Sequence, residues 1–182
     1  LPPEKMPPKQ PDEKPPAPPD KKATPEKATS KIRFGNVGCS ATVIGPRRTD
    51  GKWNVLTADH CVPRKKGDRG GMLTRDGQKL VVVVQVTDRE SDICWMTTEE
   101  SVETLDFAYV AKSNPERGVR IWHNAWGIDK PGNTESGTVT GDGPNRRNQL
   151  SMRLSVSQGD SGGGIFREDT GELISCICCT NT

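Results

Sequence analysis

The chain contains only two histidines, and one of them, His60, directly follows an apolar segment in Leu56-Thr57-Ala58-Asp59-His60-Cys61. An imidazole titrates near neutral pH, so it can take a proton and return it within one reaction cycle. Much further along stands Ser161, in Gln158-Gly159-Asp160-Ser161-Gly162-Gly163-Gly164. A serine flanked by glycines sits in a tight turn that exposes its hydroxyl, and the successive backbone N–H groups of such a turn can converge on a developing oxyanion. Together the two residue types suit nucleophilic acyl transfer. Residues 159–163 also satisfy the G-x-S-x-G elbow of the α/β-hydrolases, but that fold needs its histidine after the serine and none follows Ser161.

A histidine acting on a serine needs a group to fix its tautomer. A carboxylate preceding His60 would give a subtilisin-like order, whose fold needs long helices and a larger chain, and neither is present. After His60, Asp92 stands in Glu90-Ser91-Asp92-Ile93-Cys94-Trp95-Met96, at the mouth of an apolar strand and beyond the valine run 81–84. From there it could accept the imidazole N–H. The second histidine, His123, lies between two tryptophans in Ile121-Trp122-His123-Asn124-Ala125-Trp126 and reads as a structural or surface residue.

The elements that must hold these residues are short runs rich in Val, Ile and Thr, separated by Gly, Asn, Asp and Pro, which is the pattern of an all-β domain. Strands are expected over residues 40–44, 53–57, 80–86, 119–122, 137–140, 150–154, 163–166 and 172–178. No helical period is sustained. At most one helical turn is expected after His60, ended by Pro63 and a loop over 67–71. Residues 1–30 differ: they hold ten of the chain's 15 prolines and no glycine or aromatic residue, too little apolar surface to fold. This segment reads as a disordered proline-rich tether, and residues 31–182 as the folded body.

The whole chain has 182 residues, 26 Lys plus Arg and 24 Asp plus Glu, a net charge of +2 that gives no basic footprint for nucleic acid. No apolar run reaches the length of a transmembrane helix. The chain begins at Leu1, either because a signal peptide was removed or because it is a fragment.

At the three segments around His60, Asp92 and Ser161 the chain resembles the trypsin/chymotrypsin-like serine proteases, including the high-temperature-requirement (HtrA) type. Thr57-Ala58-Asp59-His60-Cys61 is similar to the family's histidine motif, Ser91-Asp92-Ile93-Cys94-Trp95-Met96 to its aspartate motif, and Gly159-Asp160-Ser161-Gly162-Gly163 to its serine motif. The resemblance implies a chymotrypsin-like fold of two antiparallel six-stranded-type β-barrels, over 31–105 and 106–182, with the second barrel short of its closing strand. It implies a serine endopeptidase without cofactor or metal, with Ser161 as nucleophile, His60 as general base and acid, and Asp92 orienting the ring. The N–H groups of Gly159 and Ser161 would form the oxyanion hole, and Cys39 and Cys61 would be disulfide-bonded, placing the protein outside the cytoplasm (secreted, periplasmic or cell-surface).

Ser155, six residues before Ser161, matches the floor of the specificity pocket, with Val156, Cys178, Cys179 and Thr180 lining it. Ser155 is not an acid, so a preference for Lys or Arg is not expected; a small or medium apolar residue before the scissile bond is. Asp59, beside the histidine, is expected to point into solvent, and Asp160 to be satisfied by local backbone or a side chain. Cys176, Cys178 and Cys179 lack the paired knuckle and spaced histidine of a zinc site and read as free thiols. The rival to an enzyme is a catalytically silent protease-fold module that binds a peptide or partner without turnover.

Overall fold

Alternation of side chains along each strand decides which face turns inward. In β1 (Thr29–Phe34), Ile32 and Phe34 are buried while Lys31 and Arg33 are exposed. In β5 (Lys79–Asp88), Val82 and Val84 are buried while Val81 and Val83 are only half covered. The computed structural model describes residues 22–63, 65–126, 131–142 and 150–178.

Six strands close into a barrel in the order β1, β2 (Val37–Ile44), β3 (Asn54–Thr57), β6 (Ile93–Thr98), β5 and β4 (Arg69–Leu73). All pairs are antiparallel. Closure is visible at Ile32, which lies opposite Cys39 of β2 on one side and Met72 of β4 on the other. Ile32, Ala41, Val43, Val55, Val84 and Met96 fill the interior and are at most 1% exposed.

The second half is an open antiparallel sheet of five strands. β7 (Arg120–Trp126) is central, with β10 (Gly164–Arg167) and then β11 (Leu173–Cys176) on one side, and β8 (Pro131–Asp142) and then β9 (Leu150–Arg153) on the other. The expected all-β, chymotrypsin-like architecture is therefore present, and among the described residues the second barrel lacks a sixth strand.

The halves are joined by packing and by backbone. Phe166 of β10 is fully buried, stacks on Trp122 with ring centroids 4.6 Å apart, and clusters with Ala28, Ala108 and Leu173. The connector between the halves is bonded to both: Ala108 N–H donates to Val43 (3.1 Å) and Ala111 N–H to Leu173 (2.8 Å).

Three expectations need correction. The tether does not extend to residue 30. Residues 25–27 form one 3-10 turn, β1 begins at Thr29, and Thr29 and Ser30 are fully buried. Small residues such as Ala28 and Ser30 pack well wherever their backbone is paired, which a count of apolar side chains does not register. Residues 1–21 of the expected tether lie outside the described residues. The loop expected over 67–71 runs instead into β4, whose Gly70 has Phe34 directly above it, so that a Cβ there would lie 2.7 Å from the ring. The helical turn expected after His60 is a 3-10 turn that contains it, Asp59–Cys61.

The disulfide implied by the resemblance is present: Cys39 of β2 and Cys61 are bonded, with Cα atoms 6.1 Å apart and a sequence separation of 22. It ties β2 to the turn that carries His60. A loop of that length contributes about 3 kcal/mol by restricting the unfolded chain. Reduction is therefore expected to lower the melting temperature by roughly 6–12 °C. Calorimetry with and without reductant tests this, and an unchanged melting temperature would remove the bridge as a source of stability.

Candidate active site

β3 ends at Thr57, and the chain turns through the 3-10 helix Asp59–Cys61, closed by hydrogen bonds from Cys61 N–H to Ala58 (3.1 Å) and from Val62 N–H to Asp59 (3.2 Å). With about three residues per turn, neighbouring side chains point in widely different directions. His60 faces outward, its side chain 41% exposed, so Asp59 is carried inward. This overturns the expectation that Asp59 points into solvent: it is fully buried.

Asp92 meets His60 from the turn between β5 and β6. Its Oδ2 is 2.8 Å from His60 Nδ1, its Oδ1 accepts the His60 backbone N–H at 3.0 Å, and its carbonyl accepts the Asp59 N–H at 3.1 Å. An ionised carboxylate can only accept, so in the neutral ring the proton is on His60 Nδ1 and the lone pair on Nε2. Asp92 is 6% exposed and takes φ +53°, a left-handed conformation that Asp and Asn tolerate better than other side chains.

Ser161 sits in a loop built by its own backbone. Asp160 N–H donates to Ser157 (3.1 Å), Ser157 N–H donates to Asp160 Oδ2 (2.7 Å), and Gly163 N–H donates to Asp160 (2.8 Å). The local partner expected for Asp160 is thus Ser157. The loop lies against the first barrel: Ser161 O accepts the Ser40 N–H at 2.8 Å and is 3.9 Å from Cys61 Sγ. Gly162, at φ +83°, fits so tightly there that a Cβ would lie 2.1 Å from Ser40 O and 2.2 Å from Thr57 Oγ1. Asp160, Gly162 and Gly163 all spend their N–H groups within the fold, whereas among the described residues Gly159 and Ser161 donate to no acceptor.

Of the residues matched to the specificity pocket, Ser155 is exposed and Val156 is half-buried against the second sheet's apolar cluster of Ile121, Ala125, Val139, Ile165 and Ile177. Cys178 is half-buried, and Cys179 and Thr180 lie outside the described residues. His123 is fully buried and its Nε2 donates to the Ser155 carbonyl at 2.9 Å, so a core histidine supports this segment. Nothing in the sequence spacing pointed to that contact. The His60 ring also lies beside the disulfide, its nitrogen and the Cys39 and Cys61 sulfurs all within 4.8 Å. Two sulfurs bonded to each other offer no thiolate to a metal, so the ring packs against the bridge.

Two free thiols lie in the same region. Burial, with the Asp59 carboxylate adding to it, pushes Cys94 up to about 12. Burial again leads at Cys176, with Cys178 and the Asp92 charge behind it, and also gives about 12.

A comparison with protein families matches the trypsin-like peptidase domain over residues 39–175. No curated protein matches the sequence. Among solved structures, the inactive form of Rv3671c from M. tuberculosis H37Rv, crystallised as a serine-to-alanine mutant, is similar at 16% identity and a TM-score of 0.65, over 85% of this chain and 75% of that one. The inactive form of the Rv3671c protease aligns at 17% identity and 0.64, over 85% and 78%. The HtrA-type protease AlgW with a decapeptide aligns at 13% identity and 0.68, over 86% of this chain and 57% of that one.

Two outcomes follow from the geometry of Asp92 and of the thiols. Asp92→Asn should fold with nearly unchanged stability, whereas Asp92→Ala, lacking both the carboxylate bonds and tolerance for positive φ, should lose about 2–3 kcal/mol in urea unfolding. Equal losses in the two variants would sink this reading of the turn. Cys94 and Cys176 ionise near 9 when unfolded and about 12 when folded, so their stabilising contribution is whole below pH 9 and is lost as pH rises toward 12. A Cys94→Ala/Cys176→Ala variant should accordingly lose less stability than the wild type between pH 8 and pH 11. Parallel losses would contradict it.

Proposed function

Because the chain belongs to the trypsin-like peptidase domain family, we propose that it is a serine endopeptidase in which Ser161, His60 and Asp92 carry the reaction. The observation that bears most weight is the 2.8 Å contact between Asp92 Oδ2 and His60 Nδ1, which leaves the other nitrogen of this half-exposed ring without a bond to Asp92, on the turn whose Cys61 lies against the serine loop. Ser161 Oγ attacks the peptide carbonyl carbon as its proton passes to His60 Nε2. The oxygen of the tetrahedral intermediate takes its negative charge toward the uncommitted N–H groups of Gly159 and Ser161, donors of a kind typically worth about 3 kcal/mol each. Collapse breaks the C–N bond, and His60 returns the proton to the departing amine. Water then repeats the sequence on the acyl-enzyme, releasing the acid and restoring Ser161.

The substrate is a peptide or protein. AlgW, similar in fold, was solved with a decapeptide. None of the residues matched to the specificity pocket, Ser155, Val156, Cys178, Cys179 and Thr180, is charged, which favours a small or medium apolar residue before the cleaved bond. The Cys39–Cys61 disulfide fits an oxidising, extracytoplasmic compartment (secreted, periplasmic or cell-surface), with the proline-rich segment as tether.

Intact-mass labelling with a fluorophosphonate probe tests the assignment. One adduct is expected on the wild-type chain without any activating cut, and none on Ser161→Ala or His60→Ala. A folded wild-type chain that forms no adduct would overturn the reading in favour of a silent peptide-binding module.

A further inference from the structure

Ser40 has no role in the triad, yet it touches the serine loop at more points than any side chain of the triad is seen to do. It lies on β2 next to the disulfide and is fully buried. Its N–H donates to Ser161 O at 2.8 Å, and its hydroxyl donates to Gly159 O at 3.1 Å while accepting the Trp126 N–H at 2.7 Å. Its carbonyl accepts the Thr57 hydroxyl at 2.8 Å. A serine hydroxyl has one proton to give. Because Trp126 N–H occupies an acceptor position, that proton is directed to Gly159.

The consequence is a pattern along the loop. The peptide between residues 159 and 160 is fixed at its carbonyl by Ser40 Oγ and at its N–H by Ser157; the peptide between 161 and 162 is fixed by Ser40 N–H and by Ile177, which accepts the Gly162 N–H at 2.7 Å. The N–H groups left over are those of Gly159 and Ser161. Gly159, at φ +89°, is where the backbone has most freedom to turn away from this arrangement. We infer that Ser40 is a positioning residue: its hydroxyl locks the 159–160 peptide so that the N–H groups of Gly159 and Ser161 converge on one point. This rests on the serine-peptidase reading above and goes beyond it, since it assigns the alignment of the oxyanion donors to a side chain of the opposite barrel. Trp126 extends the link: its backbone N–H donates to the Ser40 hydroxyl and its indole N–H to the Thr29 carbonyl at 3.2 Å, so the β7 residue that meets this hydroxyl is itself tied to β1.

Ser40→Ala and Ser40→Gly both remove the hydroxyl, with its bonds to Gly159 and Trp126, and keep the bonds of Ser40's own N–H and carbonyl, so either one that folds serves as the test. With the fluorophosphonate probe, Ser161 Oγ bonds to phosphorus, fluoride leaves and His60 takes the proton, while the phosphonyl oxygen draws on the same donors as a peptide oxyanion. The saturating labelling rate is expected to fall roughly 10- to 100-fold. The half-saturating concentration should stay within about twofold, since ground-state binding is untouched. Melting temperature, followed alongside, identifies a merely structural effect. Wild-type labelling rates in a folded variant would overturn the role of Ser40 alone, and so would a loss that appears in the half-saturating concentration or only as unfolded protein. A wild-type chain that takes no label would overturn the peptidase reading and Ser40's part in it together.

Discussion

The carbonyl of Ser161 accepts a 2.8 Å hydrogen bond from Ser40, and through that bond a loop built on an open sheet is referred to the frame of a closed barrel. Histidine and aspartate need no such help. Both belong to the first barrel, one at the end of β3 and the other before β6, strands that are direct neighbours. The serine comes from the other half of the chain, and the contact with β2 fixes where its backbone stands relative to His60. The disulfide reinforces the same point by tying Cys39, one residue before Ser40, to Cys61, one residue after His60. Gly162 belongs to this arrangement: any side chain would collide with Ser40 and Thr57 and push the loop off the barrel.

The seam between the halves is polar where it faces the site and apolar behind it. Asp59, Asp92, Asp160, Ser40 and Thr57 are all buried, and the hydrogen bonds among them and their backbone partners run across or alongside the junction. Buried polar groups are expensive unless paired, so each bond here also selects one relative placement of the loops, because slippage would strand a buried donor or acceptor. Phe166 stacked on Trp122 supplies non-directional cohesion behind them.

Residue type and order were enough to single out His60, Asp92 and Ser161, because their motifs are local: a strand end, a turn acid, a glycine-flanked serine. Strand existence was legible for the same reason wherever apolar residues alternate, as in β5. Legibility failed where burial is achieved by small or polar residues. Thr29, Ser30 and Ser40 are buried without being apolar, and Gly70 is buried because Phe34 covers it, which no single segment can reveal. The direction of Asp59 was misjudged because it depends on a turn geometry only one residue wide. His123 under Ser155 was invisible because Ser155 lies past the end of β9 and meets the β7 side chain only once the sheet is folded.

The first barrel has no free edge, while among the described residues the second sheet ends in β9 on one side and in β11 on the other, where the connector at Tyr109–Ala111 pairs with Leu173. Edges fray before closed barrels do. On warming, the half carrying Ser161 should open while the half carrying His60 and Asp92 is still intact, so heat would separate the serine from its partners before the chain as a whole unfolds. The cooler limit on function would then be set by the rim of an open sheet, not by the hydrophobic core.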